Sequence, residues 1–207
     1  MNRNIRELKE FKKQVKVAGL TGGIASGKSV ATEALRAAGF TVIDADEISR
    51  RITAIGSQVE RRIKDAFPSV AKDDCLDRRA LRELISSDAA AKKKLDDITH
   101  PPIISEIERI VRATEPPMII CAPLLFETSL SALCDCTVCT VCALETRIER
   151  LCARDSVDRD AALRMINAQI PDCERAALSD FCVPSDGDMD EFKAETVALF
   201  RAIFSKR

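Results

Sequence analysis

One short segment near the start of the chain constrains the fold more than any other. The apolar run Val15–Thr21 leads at once into Gly22-Gly23-Ile24-Ala25-Ser26-Gly27-Lys28-Ser29, a match to the pattern G-x-x-x-x-G-K-[ST]. In that pattern the amides of a glycine-rich loop surround phosphate oxygens, and the following helix adds its positive end. A chance turn with a capping serine is the alternative, but the apolar run before the loop and the helical stretch after it favour the phosphate site. The segment therefore predicts binding of a nucleoside triphosphate.

Residues of this segment are expected to take different roles. Lys28 supplies a mobile positive charge for the β- and γ-phosphates, and the Ser29 hydroxyl can ligate Mg²⁺. The predicted nucleotide contacts are Gly23, Ile24, Ala25, Ser26, Gly27, Lys28, Ser29 and Val30.

Strand and helix patterns alternate along the chain. Strands are predicted at 15–21, 40–43, 118–122, 136–142 and 181–183, and helices at 28–38, 48–55, 58–66, 78–86, 89–113, from 145, at 161–168 and at 189–204. Because proline removes a donor and clashes with the preceding turn, the helix over 89–113 is expected to be interrupted at Pro101-Pro102, with a break or kink near His100. The alternation predicts an α/β fold with a parallel sheet covered on both faces.

Composition excludes several classes of protein. The 207 residues carry 32 Lys and Arg against 33 Asp and Glu, a net charge of −1, which argues against a protein that coats nucleic acid. No stretch approaches the roughly 20 apolar residues of a membrane helix, and the N-terminal residues lack the apolar region of a secretory signal. We therefore expect a cytoplasmic protein without nucleic-acid or membrane partners, a monomer or small homo-oligomer, whose nine cysteines are thiols.

Residues 3–14 show apolar positions at three-residue spacing among basic ones, which predicts a short amphipathic helix ahead of the fold. Its basic face is either solvated or a contact for an anionic partner.

The cysteines at 134, 136, 139 and 142 are better explained as buried strand residues than as a zinc site, because alternation along a strand sends them to opposite faces.

Two carboxylates follow the second predicted strand. The carboxyl ends of neighbouring parallel strands meet at one edge of a sheet, so Asp44 and Asp46 are expected near the γ-phosphate. There a carboxylate can accept a proton from a hydroxyl or help to hold magnesium. The alternative is that one of the two caps the following helix.

Three arginines, Arg147, Arg150 and Arg154, share one helical face. An arginine segment that closes over the phosphates would neutralise the transferred charge and exclude water. The alternative is a solvated basic face paired with Glu145 and Glu149.

Several short motifs together resemble the dephospho-CoA kinase family over roughly residues 15–187. They are LTGGIASGKS at 20–29, VIDAD at 42–46 with Ser49-Arg50, His100-Pro101, PLLFE at 123–127, RLCARD at 150–155 and Gln169. The chain lacks the Asn-Lys-x-Asp base reader of a GTPase switch. Two other classes stay open: another kinase of nucleosides or nucleotides, and a nucleotide-dependent regulatory protein that is not a kinase.

The resemblance implies a P-loop three-layer fold that phosphorylates the ribose 3′-hydroxyl of dephospho-coenzyme A, the last step of coenzyme A synthesis, with ATP and Mg²⁺. It implies Asp46 as the catalytic base, with Lys28 and the lid residue Arg154 at the phosphates. It also implies an acceptor site lined by Asp44, Asp46, His100, Leu124 and Glu127. The implied divisions are an extension at 1–14, a core at 15–51, 116–146 and 171–207, a helical acceptor domain at 52–115 and a lid at 147–170.

Two single residues and one short segment depart from the family pattern. Val30 stands where threonine is usual, and residues 183–187 differ in the region that often contacts adenine. Ala25 replaces a frequent glycine, so the backbone there is expected to avoid positive φ.

Overall fold

The computed structural model describes residues 14–72 and 75–205, so the helix predicted for 3–14 lies, apart from its last residue, outside the described residues. The chain divides into two compact units, one formed by Met1–Ile43 with Thr114–Arg207 and the other by Asp44–Ala113. The strands are β1 (Val17–Gly22), β2 (Thr41–Asp44), β3 (Ala71–Lys72), β4 (Cys75–Leu76), β5 (Met118–Cys121), β6 (Cys136–Val141) and β7 (Phe181–Pro184). The helices are α1 (Lys28–Ala37), α2 (Ala45–Ile52), α3 (Gln58–Ala66), α4 (Arg78–Ser87), α5 (Ala89–Ala113), α6 (Leu144–Asp155), α7 (Arg159–Asn167), α8 (Asp172–Leu178) and α9 (Met189–Phe204).

Five strands form a parallel sheet in the order β2-β5-β1-β6-β7. β1 pairs with β5 on one side and with β6 on the other, in registers that place Gly19 opposite Ile120 and Thr137. All residues of β1 and β5 are buried, as expected of strands covered on both faces. The predicted α/β fold with a parallel sheet is confirmed.

The main core lies between this sheet and the helices α1 and α9. Leu20 and Val138 of the sheet belong to one buried cluster with Leu35 of α1 and Phe200 of α9. Phe200 also lies 6.4 Å, centroid to centroid, from Phe40, which precedes β2. This packing fixes the position of α1 on the sheet, and with it the loop that joins β1 to α1.

The unit formed by Asp44–Ala113 has its own apolar core. Residues of α3, α4 and α5 make up this cluster together with the segment between α3 and β3, and its buried members are Val59, Ile63, Phe67, Val70, Leu81 and Ala91. The short strands β3 and β4, which the sequence did not predict, form an antiparallel pair beside it.

Helix α5 continues through Pro101 and Pro102, so the predicted break near His100 is wrong, and the kink that was the other expectation there stays a prediction. Each proline removes one backbone donor from the helix. The packing of α5 against α2, α3 and α4 supplies the compensating contacts, and tertiary packing of this kind outweighs local propensity.

Candidate nucleotide-binding site

The loop between β1 and α1 ends in a helix start without a side-chain cap. Gly27 occupies the N-cap position with φ 91°, a left-handed conformation that favours glycine, and no side chain of the described residues caps α1. Within the described ranges, helices α6 and α8 also begin without a side-chain cap, whereas Ser57, Asp77, Asp158 and Asp188 cap α3, α4, α7 and α9. Helix α1 thus begins, with no capping side chain among the described residues, at the place where the motif predicts phosphate.

Ala25 also adopts a left-handed conformation, with φ 62°. The expectation that an alanine here avoids positive φ is therefore wrong. A left-handed conformation costs a residue with a Cβ about 1–2 kcal/mol, so the surrounding contacts must impose it.

Those contacts reach three successive carbonyl oxygens of the loop. Arg147 Nε donates to the Ile24 oxygen at 2.8 Å, Arg150 Nη1 donates to the Ala25 oxygen at 3.2 Å, and Ser185 Oγ donates to the Ser26 oxygen at 2.9 Å. All three donors come from segments far along the chain, in α6 and just after β7. The carbonyl oxygens of Ile24, Ala25 and Ser26 are thus engaged within the protein, and a loop of this kind binds an anion through amides.

The start of the loop is held by strand β6. Ser26 is almost fully buried, and its hydroxyl lies 2.7 Å from the hydroxyl of Thr140. A Cβ on Gly22 would collide with these two hydroxyls, so only glycine fits where β1 approaches β6.

Lys28 and Ser29 begin α1, as predicted. The half-buried Lys28 donates from Nζ to the thiol of Cys121, 3.6 Å away at the end of β5, and Thr32 Oγ1 lies 3.1 Å from the same sulfur. Ser29 is exposed, which leaves its hydroxyl accessible to a ligand, whereas Val30 packs against the main core.

The three arginines of α6 have different environments. Arg147 is 2% exposed and forms an ion pair with Asp172, so the solvated-face alternative is wrong for this residue, and burial lowers its pKa. Arg154 is exposed, and its guanidinium makes two bonds of 2.8 Å to the carboxylate of Asp155, which raise its pKa. Glu145 pairs with Arg159 rather than with the arginines of its own helix.

The segment after β7 joins the loop to α6. Arg150 Nη2 donates to the Ser185 carbonyl oxygen at 2.6 Å, and Ser185 itself is fully buried. The next residue, Asp186, accepts from the backbone N–H of Ala143 at 2.7 Å, and this bond holds the pKa of Asp186 below its usual range.

The turn after β5 carries Leu124 and Glu127. The Pro123 carbonyl oxygen accepts from Arg175 Nη1 at 2.8 Å, and Arg175 Nη2 lies 3.4 Å from Glu127 Oε1. Arg175 is fully buried in α8, a helix that the sequence did not predict. It therefore ties α8 to the turn that carries Leu124 and Glu127.

Asp44, Asp46 and His100 belong to the second unit. Asp44 caps α2, since its Oδ1 accepts from the backbone N–H groups of Asp46 at 2.8 Å and Glu47 at 3.3 Å. The capping alternative thus applies to Asp44, and it explains why α2 begins at Ala45, three residues before its predicted start. The Asp46 side chain is exposed, and His100 Nε2 lies 3.4 Å from Asp96 Oδ1 within α5.

The sequence alone gave no structural role to Gln169, Asp172 and Arg175. Only the family resemblance pointed to Gln169. In the structure its Oε1 accepts from the backbone N–H of Ile24 at 2.7 Å. A glutamine or aspartate far from the motif carries no local pattern, so only long-range packing could reveal these roles.

A glycine-rich loop, an uncapped helix N-terminus and a parallel sheet with the order 2-5-1-6-7 together define a P-loop nucleotide-binding protein of the small-molecule kinase type. Solved structures with this fold include a shikimate kinase from Acinetobacter baumannii, at 13% identity and a TM-score of 0.52 with 97% of this chain and 98% of that chain covered. They also include TT1252 from Thermus thermophilus, at 29% identity and a TM-score of 0.78. This match covers 91% of this chain and 97% of the TT1252 chain.

The family model of dephospho-CoA kinases matches residues 16–191. The dephospho-CoA kinase from Syntrophotalea carbinolica is 35% identical to this chain, and the match covers 88% of this chain and 90% of that relative. The dephospho-CoA kinase from Acinetobacter baylyi is 36% identical, and the match covers 88% of this chain and 95% of that relative. The chain belongs to the dephospho-CoA kinase family, and it is an ATP-dependent kinase. Among the described residues, no helix is long and apolar enough to cross a membrane.

Proposed function

We propose that this chain transfers the terminal phosphoryl group of ATP to the ribose 3′-hydroxyl of dephospho-coenzyme A, which gives coenzyme A and ADP. The observation that carries the proposal is the phosphate loop: its carbonyls are bonded to α6 and to the segment after β7, and α1 has no side-chain cap among the described residues. Such a loop can give its amides to a triphosphate, and family membership supplies the acceptor.

In the proposed reaction Lys28 neutralises charge on the β- and γ-phosphates, and residues 23–30 form the loop around the triphosphate, in which the Ile24 N–H is bonded to Gln169 and the Ser26 N–H to the Gly23 carbonyl oxygen. Arg154, in the last turn of α6, adds positive charge from the lid at 147–170. Phosphoryl transfer needs little covalent chemistry from the protein, so positioning and charge neutralisation account for most of the rate.

Asp46 is the proposed base. Its carboxylate accepts the proton of the 3′-hydroxyl as that oxygen bonds to the γ-phosphorus and the bond to the bridging oxygen of ADP breaks. Asp44, His100, Leu124 and Glu127 are proposed to line the acceptor site, with the helical region at 52–115 as the acceptor domain.

Mg²⁺ fits the donor set of the loop. Magnesium prefers oxygen ligands and keeps several waters, so one hydroxyl and the phosphate oxygens of ATP suffice. The exposed hydroxyl of Ser29 in the first turn of α1 is the proposed protein ligand. When bound, the ion would neutralise charge that develops on the phosphates.

A cytoplasmic location and a monomeric or small homo-oligomeric state remain predictions.

The test is an acceptor panel. The purified protein is incubated with ATP, Mg²⁺ and, separately, dephospho-CoA, nucleosides and nucleotides, and ADP and the phosphorylated product are measured. We expect ADP to form only with dephospho-CoA, with a product of the mass of coenzyme A, and we expect the Lys28→Ala variant to lose this activity. Transfer to a nucleoside or nucleotide instead, or ADP release that does not depend on an acceptor, would overturn the proposal.

A further inference from the structure

Both backbone polar groups of Ile24, at the tip of the phosphate loop, are bonded to residues that lie more than a hundred positions later. The N–H donates to Gln169 Oε1 at 2.7 Å, and the carbonyl oxygen accepts from Arg147 Nε at 2.8 Å. The peptide groups on either side of Ile24 are therefore held by the region from α6 to the segment after α7.

Arg147 is itself fixed. It is 2% exposed and paired with Asp172 in the first turn of α8. This pair lies directly against the loop, because a Cβ added to Gly23 would come within 2.6 Å of Asp172 Oδ1 and 2.7 Å of Arg147 Nη2. The buried arginine is therefore held between Asp172 and the loop.

Apolar contacts support the same arrangement. The side chains of Ile24 and Ala25 pack against a buried cluster of α6 and α7, formed by Ile148, Leu151, Ala162 and Ile166. The tip of the loop is thus held by apolar contacts to both helices as well as by the polar bonds to Gln169 and Arg147.

The conformation of Ala25 depends on these bonds. Its φ of 62° is set by the plane of the peptide group that joins it to Ile24, and Arg147 holds the carbonyl of that group. The preceding peptide group is held by Gln169. An alanine released from such bonds would return to negative φ, since the left-handed conformation is unfavourable for any residue with a Cβ.

We propose that Gln169 and Arg147 are positioning residues for ATP: they hold the peptide groups on either side of Ile24 and thereby keep Ala25 in the left-handed conformation that the phosphate loop needs. The inference rests on the proposed function only in that the loop binds ATP. It assigns to these two side chains the role of fixing the shape of the loop, and to Asp172 the role of holding Arg147.

The test measures the Kd for ATP by calorimetry rather than turnover. Gln169→Met keeps the length of the side chain but removes the acceptor, so the Ile24 N–H is left without its partner, and we expect the Kd to rise about 5- to 150-fold. Asn167→Ala, at the exposed end of α7 and in the lining of the same cavity as Gln169, is the matched control and should leave the Kd unchanged.

A second background separates positioning from general damage. In Ala25→Gly the left-handed conformation carries little cost, so Gln169→Met should raise the Kd much less there than in the natural sequence. Arg147→Lys, which retains the positive charge toward Asp172, should show the same suppression by Ala25→Gly. An unchanged Kd in Gln169→Met, or an equal rise in both backgrounds, would overturn the inference. If the natural sequence itself did not bind ATP, the proposed function would fail instead.

Discussion

At the scale of single residues, Asp44 and Asp46 show how two similar side chains in one motif separate into different roles. Both follow the apolar residues of β2, and both are carboxylates. Asp44 Oδ1 accepts from the backbone N–H groups of Asp46 and Glu47, whereas Asp46 lies within the first turn of α2 and has an exposed side chain. A stability role is therefore assigned to Asp44, in addition to its proposed place in the acceptor site, and the chemical role is proposed for Asp46.

The cap predicts a stability effect at residue 44. Asp44→Ala should lower the free energy of unfolding by about 1 kcal/mol, because the N–H groups of Asp46 and Glu47 lose their acceptor. Asp44→Ser restores a capping oxygen and should unfold at close to the natural urea midpoint. Equal stability of Asp44→Ala and the natural protein in urea denaturation would show that the cap contributes nothing. A strong loss of turnover in Asp44→Ser, at unchanged stability, would support the proposed contact of Asp44 with the acceptor.

Cys134 allows a prediction about thiol chemistry. Burial raises the pKa of this thiol from 9.0 to about 12, whereas Cys173 is exposed. Only the thiolate reacts with an alkylating reagent, and three pH units correspond to about a thousandfold less thiolate. We expect iodoacetamide at pH 9 to label Cys173 in the native protein and to leave Cys134 unlabelled until the pH approaches 12. Mass spectrometry of the peptides measures this, and early labelling of Cys134 would contradict its burial.

At the scale of elements, the predictable parts were those with a local signal. The sheet strands and the helices α3 and α9 follow directly from apolar runs and helical periodicity. The short helix α8 has no such signal, because its buried residue is a charged one, Arg175. The pairing of β3 with β4 also lacks one, since each strand has only two residues.

The features of the candidate site also differ in whether the local sequence predicts them. The motif alone identified the phosphate loop, but the left-handed Ala25 could not be predicted, because the bonds that hold its neighbours come from α6 and Gln169. Long-range contacts of this kind leave no pattern in the local sequence. For the same reason the burial of Arg147 was not distinguishable from a solvated position on the same helix face.

The junction between β7, α9 and α6 predicts a pH dependence of stability. The Ala143 N–H stabilises ionised Asp186 and lowers its pKa below 3.8, so the carboxylate contributes stability in full above pH 3.8. That contribution is lost as the pH falls through the folded-state pKa. Asp186→Asn should therefore have a lower Tm than the natural protein at pH 7, and the two Tm values should converge as the pH falls below 3.8. Glu174→Gln, an exposed carboxylate in α8, is the control. A difference that persists unchanged into acid would contradict this account of Asp186.

At the scale of the whole molecule, the phosphate loop and the segments that hold it belong to one compact unit, and Asp46 belongs to the other. The loop that is proposed to bind the nucleotide is held by contacts within the first unit. The proposed base comes directly after β2, the edge strand of the sheet, at the point where the chain enters the second unit. The kinase reaction proposed here thus combines a loop fixed by one unit with a carboxylate carried by the first helix of the other.

The most direct test of this combination is the kinetics of Asp46→Asn, with Glu47→Gln as the matched neighbour on the same helix turn. The ATP Kd should be unchanged in both variants, because the loop is intact. The kcat with dephospho-CoA should fall about 10²- to 10⁴-fold in Asp46→Asn, the usual contribution of a positioned base, and should stay near the natural value in Glu47→Gln. Full turnover in Asp46→Asn would contradict the assignment of Asp46 as the group that accepts the hydroxyl proton.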